Sequence, residues 1–358
     1  MYKTIDIGIN GAAGRIGKLN ANEFFILHDE DVNTSDENRV IVRAINDLAS
    51  IDEIVESYQK KDQTHGYLGW RVEKLDDTTL SINGNKVAVF GERDPAKIPW
   101  KDYGVKVVSE CSGAFKDRQG VEGHLKAGAE RVVISAPIDN VDGTFAMAVN
   151  HEKFDLEKHY IISNASCTTK ALAVPLKSLM DYGIEIHGVL MDTAHAATNT
   201  QRALQFGSEY GVLNEIQTAK TGAASATAKL IPLLEGKMDG YALRVPTSDG
   251  SFANIFFNAE GYLLDSEKIN RILEAASKNP KTLGRLEYFI DKEASSTDII
   301  GRTASSIIIA SKTRAKLLPF YSPTGKPLAL CGLCSGYDNE RGPARDQAML
   351  VRYIAQRL

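Results

Sequence analysis

The chain has 358 residues, a length that suits two domains better than one or three. Hydrophobic residues make up 43% and charged residues 25%, the balance of a soluble globular protein with a sizeable core, and no biased tail argues for disorder. The net charge of -4 removes any general electrostatic drive toward nucleic acid or an anionic membrane, so a site for a phosphorylated ligand has to be local.

The first residues, through Asn10, follow a strand pattern and lack the apolar region and cleavage site of a signal peptide, which predicts a cytoplasmic protein. No apolar stretch is long enough to span a bilayer. The four cysteines, at 111, 167, 331 and 334, do not form a secreted framework, and a reducing compartment would keep them as thiols.

In chain order, Ile5–Asn10 is an apolar strand leading into Gly11-Ala-Ala-Gly14-Arg15-Ile16-Gly17 and a helical pattern through Phe25. A second strand, Val40–Asn46, ends at Asp47, and Val105–Glu110, Arg131–Ser135 and Tyr160–Ser163 read as further strands, with a helix over Gly120–Ala129. Strands alternating with helices predict an α/β fold, a doubly wound parallel sheet of Rossmann type with its ligand at the carboxyl ends of the strands. After Ser166 the texture changes. A helix from Cys167 to about Met180 precedes longer alternating runs (Gly188–Asp192, Tyr241–Val245, Ser251–Phe257) that predict an α+β domain with a mostly antiparallel sheet. An amphipathic helix over about Ala344–Leu358 ends the chain. The expected division is 1–166 for cofactor binding and 167–339 for catalysis, with the last helix, 340–358, packing back on the first domain.

Missing side chains at Gly11, Gly14 and Gly17 let a backbone turn sharply, approach a pyrophosphate and pack the helix on the strand. Such a turn is as often structural as functional. Asp47, about 30 residues further on, adds an acid that can accept hydrogen bonds from a ribose diol and repels a 2′-phosphate, which favours NAD over NADP. The alternative for Asp47 is a loop or cap residue.

Cys167 opens a helix with Ser166 as its N-cap, so free backbone N–H groups and the positive end of the helix dipole favour its thiolate. Polar Ser166, Thr168 and Thr169 around it argue against an inert core position. His195 ends an apolar strand, and paired with such a thiol it becomes the group that takes the hydroxyl proton of a hemithioacetal. Cys331-Gly-Leu-Cys334 has the spacing of a redox or zinc pair, but without a second pair or a nearby His the buried-strand reading prevails, and no metal is expected.

Taken together, Asn164-Ala-Ser-Cys-Thr-Thr169, His195 with Thr198 and Gln201, Thr221-Gly222-Ala-Ala224, Gly236-Lys237, Arg244-Val-Pro-Thr247, Ser295–Gly301 and Gly336-Tyr-Asp-Asn-Glu340 resemble, in order, the signatures of the glyceraldehyde-3-phosphate dehydrogenase family. The resemblance runs from the first strand to about residue 340. It implies that Cys167 attacks the aldehyde, His195 takes the proton, NAD receives hydride and inorganic phosphate breaks the thioester. Thr198 and Arg244 would hold the phosphate of glyceraldehyde 3-phosphate, and Ser166, Thr168, Thr221 and Gly222 the attacking phosphate. Asn339 would bind the nicotinamide amide, while Asn10, Gly11, Gly14, Arg15, Ile16, Gly17, Asp47, Arg93 and Ser135 would line the cofactor. A homotetramer is implied, and neither nucleic acid nor membrane is.

The chain departs from the family at four places. Its glycine turn has one residue more than Gly-Phe-Gly-Arg-Ile-Gly. The Cys167 to His195 interval is one residue longer than expected. The span from His195 to Thr221 is several residues shorter and lacks an Arg-Asp-Gly-Arg stretch, and the ending Trp-Tyr-Asp-Asn-Glu-Trp-Gly-Tyr becomes Gly336-Tyr-Asp-Asn-Glu-Arg341-Gly-Pro343. Alternatives are therefore an erythrose-4-phosphate or related aldehyde dehydrogenase and a catalytically weak NAD-binding paralogue with a regulatory role. An aspartate-semialdehyde dehydrogenase would share the Cys and His logic, but no site for an amino-acid substrate is evident.

Overall fold

Runs of Val and Ile punctuated by Gly, Asn and Asp set most of the elements, and the way the strands connect separates two units. The computed structural model describes residues 3–34, 38–197, 215–261, 264–289 and 293–358. One unit comprises Met1–Ala146, His151–Ala165 and Pro343–Leu358, the other Met147–Asn150 and Ser166–Gly342.

The first unit contains β1 (Lys3–Asn10), α1 (Arg15–Thr34), β2 (Asn38–Asn46), α2 (Ile51–Gln59), β3 (Val72–Asp76), β4 (Thr79–Ile82), β5 (Asn85–Phe90), β6 (Val107–Glu110), α3 (Arg118–Lys126), β7 (Arg131–Ile134), β8 (Gly143–Thr144) and β9 (Ile161–Ser163). Its nine-stranded sheet has the order β3-β4-β5-β2-β1-β6-β7-β9-β8. From β5 to β8 every pairing is parallel. The fully buried β6, β7 and β9 are the continuous apolar runs expected of strands covered on both faces. The chain leaves β1 for β2 on one side and later returns to β6 on the other, so the strand order reverses between β1 and β6 while the strands stay parallel. A crevice opens at their carboxyl ends, at Asn10 and Glu110.

Two features depart from the sequence reading. The antiparallel extension β3-β4-β5 was not expected, because edge strands such as β3, exposed after Val72, show little apolar alternation. Helix α1 continues past Phe25 to Thr34, since its polar last turns need only helical propensity and no apolar stripe.

The second unit contains α4 (Cys167–Asp181), β10 (Ile186–His195), β11 (Gln217–Lys220), α5 (Ala223–Leu230), β12 (Met238–Arg244), β13 (Ser251–Glu260), α6 (Ser266–Ser277), β14 (Leu286–Phe289), α7 (Ser296–Ile299), β15 (Ser306–Ile309), β16 (Arg314–Tyr321) and β17 (Pro327–Tyr337). Its sheet runs β11-β12-β10-β13-β17-β15-β14, with β16 on β17. Pairings are antiparallel except β10 with β12 and β14 with β15. Helix α4 packs on β13, β15 and β17, and strand β13 turns Ile255 and Phe257 inward while Phe256 faces out.

The last helix, α8 (Arg341–Ala355), begins three residues before the expected Ala344. Asp338 accounts for the earlier start, its Oδ1 accepting the backbone N–H groups of Glu340 (2.8 Å) and Arg341 (2.6 Å). From Pro343 the helix belongs to the first unit, where Gln347 Nε2 donates to Val133 O (2.9 Å) and Ala344 O accepts from Asn20 Nδ2 (2.9 Å). No helix among the described residues is long and apolar enough to cross a membrane.

Candidate active site

At the carboxyl end of β1 the backbone turns at Gly11, whose φ of 77° favours glycine, and a Cβ there would lie 2.5 Å from Ser112 Cα. Gly17 is held tighter still: its Cβ would sit 2.0 Å from Gly11 O, which is backbone and cannot swing away. Asn10, Gly11, Gly14, Asp47 and Arg93 line one cavity of about 560 Å³, together with Leu48, Glu92, Ser112 and Phe115. That volume and the tight backbone turn below it suit a dinucleotide. Arg15 and Ile16 open α1, with Arg15 exposed, and Ser135 follows β7, donating its N–H to Glu110 O (3.0 Å); neither these nor Gly17 are among the lining residues. Asp47 also holds the turn itself, since Oδ2 accepts from Ala13 N–H (2.8 Å) and Oδ1 from Ala49 N–H (3.0 Å).

Gly17→Ala is therefore expected to force α1 off the turn. Overpacking against backbone costs about 2 kcal/mol or more, so thermal melting should drop by several degrees and NAD affinity, by calorimetry, at least tenfold. Unchanged values would show that the turn has slack the geometry denies.

Under the cavity lies a buried polar chain that fixes Asn10. The Trp100 indole N–H donates to His124 Nδ1 (3.0 Å), so the ring proton of a neutral His124 sits on Nε2 and is donated to Glu110 Oε2 (3.0 Å). The same carboxylate oxygen accepts from Asn10 Nδ2 (2.6 Å), and Oε1 accepts from the N–H and hydroxyl of Ser112 (2.7 and 2.5 Å). Asn10 Oδ1 accepts in turn from Asn46 Nδ2 (2.7 Å). With its nitrogen donating to Glu110 and its oxygen accepting from Asn46, the amide of Asn10 has one orientation.

In the second unit, Ser166 caps α4, its hydroxyl accepting from Thr169 N–H (3.1 Å), which leaves half-buried Cys167 in the first turn. The preceding Ala165 is held at φ 55°, a strained conformation for a residue with a Cβ. Cys167 Sγ lies 3.4 Å from His195 Nε2, and buried His195 gives its Nδ1 proton to Ala196 O (2.7 Å). The nitrogen facing sulfur is thus the one free to exchange a proton. Burial pushes the Cys167 thiol up, but the hydrogen bond and charge of His195 override it and hold the thiol below its ordinary value, with smaller help from Thr168 and buried Lys170. Burial likewise pulls His195 down, and the thiolate beside it lifts it above its usual value. Of the four cysteines, all among the described residues, Cys167 alone is drawn down; burial pushes Cys111 and Cys331 up to about 12 and Cys334 to about 11. Cys331 and Cys334, three apart on β17, point to opposite faces and do not form a pair.

Residues 5–118 match the family profile described as glyceraldehyde 3-phosphate dehydrogenase, NAD binding domain, and residues 166–321 match that of the C-terminal domain. Over nearly their whole lengths, the chain is 35% identical to a glyceraldehyde-3-phosphate dehydrogenase of Streptomyces coelicolor (360 residues, 99% of this chain and 100% of the relative). It is 37% identical to glyceraldehyde-3-phosphate dehydrogenase 1 of Agaricus bisporus (364 residues, 99% of each) and 36% to the Geobacillus stearothermophilus protein (360 residues, 99% of each). The chain belongs to the glyceraldehyde-3-phosphate dehydrogenase family. It is an oxidoreductase with an NAD-binding domain.

Within the C-terminal domain, Arg244 is the register partner of His195 on the adjacent strand, and its Nη1 is buried with no hydrogen-bond partner among the described residues. Thr168 Oγ1 lies 3.0 Å from Tyr337 Oη and 3.9 Å from Cys167 Sγ. Thr221 and the N-cap Gly222 immediately precede α5, and Thr221 Oγ1 accepts from Ala223 N–H (3.1 Å); α5 packs on α4 but at the other end of β12 from Arg244. Thr198 and Gln201 lie outside the described residues. Asn339 is half-buried and bonded through its side chain to Ser251.

Three features escaped the sequence reading: the Trp100-His124-Glu110 chain, the phenol of Tyr337, and the 249–251 turn around Asn339. Tyr337 stands inside the quoted Gly336–Glu340 motif, which was a usable signal. Ser251, at the head of an ordinary alternating strand, gave none.

Proposed function

We propose that the chain catalyses the NAD-dependent, phosphorylating oxidation of glyceraldehyde 3-phosphate to 1,3-bisphosphoglycerate through a thioester on Cys167. The observation that carries this reading is the 3.4 Å approach of His195 Nε2 to Cys167 Sγ with the opposite ring nitrogen committed to Ala196 O. The thiolate attacks the aldehyde carbon, a C–S bond forms, and the imidazolium protonates the alkoxide. His195 then recovers that proton as the carbon loses hydride, leaving the thioester. Phosphate attack breaks the C–S bond, releases the acyl phosphate and restores the thiolate. Asn10, Gly11, Gly14, Asp47 and Arg93 would hold NAD, whose chemistry when bound is to accept the hydride. Asn339 would hold its carboxamide.

Arg244 supports a substrate phosphate site, because a guanidinium N–H with no partner among the described residues, one strand from the base, is suited to an oxyanion. Ser166, Thr168, Thr221 and Gly222 are assigned to the attacking phosphate, and Thr198 to the substrate phosphate beside Arg244. We assign the first unit to the cofactor and the second to catalysis. We also infer self-association. Tyr241, Leu190, Phe256 and Leu330, on the adjacent strands β12, β10, β13 and β17, share one sheet face and are each between 45% and 55% exposed, an apolar surface that a second copy would cover. Four free cysteines fit a reducing cytoplasm.

The test is NADH formation from glyceraldehyde 3-phosphate and NAD, with and without inorganic phosphate and against NADP. Turnover is expected only with phosphate and NAD. Equal turnover without phosphate would point to hydrolysis of the thioester, as for erythrose 4-phosphate, and NAD binding without turnover to a regulatory paralogue.

A further inference from the structure

The base and the amide assigned to the cofactor meet at one hydroxyl. Ser251, the first residue of β13, is fully buried. Its Oγ accepts the backbone N–H of Ala196 (3.0 Å), and the carbonyl of that same residue receives the Nδ1 proton of His195 (2.7 Å). Its single proton is donated to Asn339 Oδ1 (3.0 Å). Asp249, two residues earlier, receives the backbone N–H of Asn339 on Oδ1 (3.0 Å), so one turn fixes both main chain and side chain of that residue.

We propose that Ser251 is a positioning residue that couples the two halves of the site, holding the backbone of Ala196, whose carbonyl orients His195, and turning the Asn339 amide so that its N–H donors face outward. The inference rests on the roles proposed above for Cys167, His195 and Asn339. The direction of each proton follows from its neighbours. Tyr337 also faces Ser251, yet the phenol proton goes to Thr193 Oγ1 (2.7 Å), because the Thr193 hydroxyl is itself a donor to Phe252 O (3.0 Å), and Tyr337 Oη accepts from Thr168 (3.0 Å). The Ser251 proton therefore remains for Asn339. With Oδ1 so engaged, Nδ2 is the group left to donate to a carboxamide oxygen. Loss of the hydroxyl leaves the Ala196 N–H and Asn339 Oδ1 unsatisfied at a buried point, and the amide becomes free to flip.

The experiment uses the full chain as Ser251→Ala, Ser251→Thr, Asn339→Ala, Ser251→Ala with Asn339→Ala, and His195→Asn, with two readouts besides turnover: NAD affinity and the pH profile of Cys167 alkylation by iodoacetamide. The groups that set that profile are His195, Thr168, Lys170 and Tyr337 around the thiol and Arg244 beside the base. Ser251→Ala is expected to weaken NAD about tenfold, the scale set by an unsatisfied buried amide, and to move the alkylation midpoint to higher pH. In the Asn339→Ala background the same change should weaken NAD no further, since the effect passes through that amide. Ser251→Thr keeps the hydroxyl and should stay near wild type, whereas a packing role would make the added methyl the worse change; this comparison also decides the matter if Ser251→Ala melts. Multiplicative losses in the double variant, an unshifted alkylation profile, or a Thr variant worse than Ala would each overturn the proposal. Failure of the underlying reading looks different: His195→Asn would leave the alkylation profile unmoved and Asn339→Ala would leave NAD affinity unmoved, whatever Ser251 does.

Discussion

Cys167→Ser is expected to lower oxidation of glyceraldehyde 3-phosphate by roughly four to six orders of magnitude, the scale seen when a covalent nucleophile is removed, with NAD affinity unchanged. A serine hydroxyl does not ionise in this range, so the charge pair that draws Cys167 down and lifts His195 has no counterpart in the variant. The helix terminus, the Ser166 cap and the Thr168 hydroxyl all remain, and they stabilise an anion that no longer forms. Rapid-mixing detection of NADH separates the step: the wild type should show a burst from thioester formation before phosphate is added, and the variant none. Residual activity within a hundredfold of wild type would place the nucleophile elsewhere. The other cysteines are poor replacements, because burial pushes each of them up to about 11 or 12.

What could be read in advance was chemistry that is local in sequence. The turn at Gly11–Gly17 and the N-capped cysteine announce themselves within a few residues, because backbone conformation and helix ends are set by near neighbours. The buried parallel strands were legible for the same reason, as unbroken apolar runs. Contacts that depend on strand register were not. Arg244 becomes the neighbour of His195 only because β10 and β12 pair in parallel, and Ser251 reaches Asn339 across 88 positions of sequence. Trp100, His124 and Glu110 are likewise ordinary residues until the fold stacks them under Asn10.

The altered ending illustrates the limit from the other side. Gly336 stands where the family has Trp. In the structure a Cβ on Gly336 would lie 2.5 Å from Ile299 Cδ1 and 3.3 Å from Phe252, so these side chains occupy the space beside the glycine and would have to shift for a larger residue. The following residues are pinned by Asp338, whose second oxygen accepts Gly301 N–H (2.8 Å). The volume beside Gly336 comes from two segments distant in sequence, which a single sequence does not reveal.

His195→Asn is expected to lower kcat by about 10²–10⁴-fold, the range for loss of a general acid and base, and to shift Cys167 alkylation to higher pH. The sign follows from the opposing influences on the thiol. Burial alone raises it, and the imidazolium outweighs burial in the wild type. Asparagine keeps a polar side chain next to Ala196 O but carries no charge and takes no proton, so burial prevails and the thiol rises above its ordinary value. At neutral pH the thiolate fraction falls, and alkylation slows with it. Raising the pH should restore alkylation, because hydroxide can deprotonate the thiol, but it should not restore turnover, because the hemithioacetal proton still has no acceptor at Nε2. That split separates thiol activation from proton transfer. If the alkylation profile stays where it was, the thiolate owes its stability to the helix terminus and Lys170, and His195 acts only after the carbon–sulfur bond has formed.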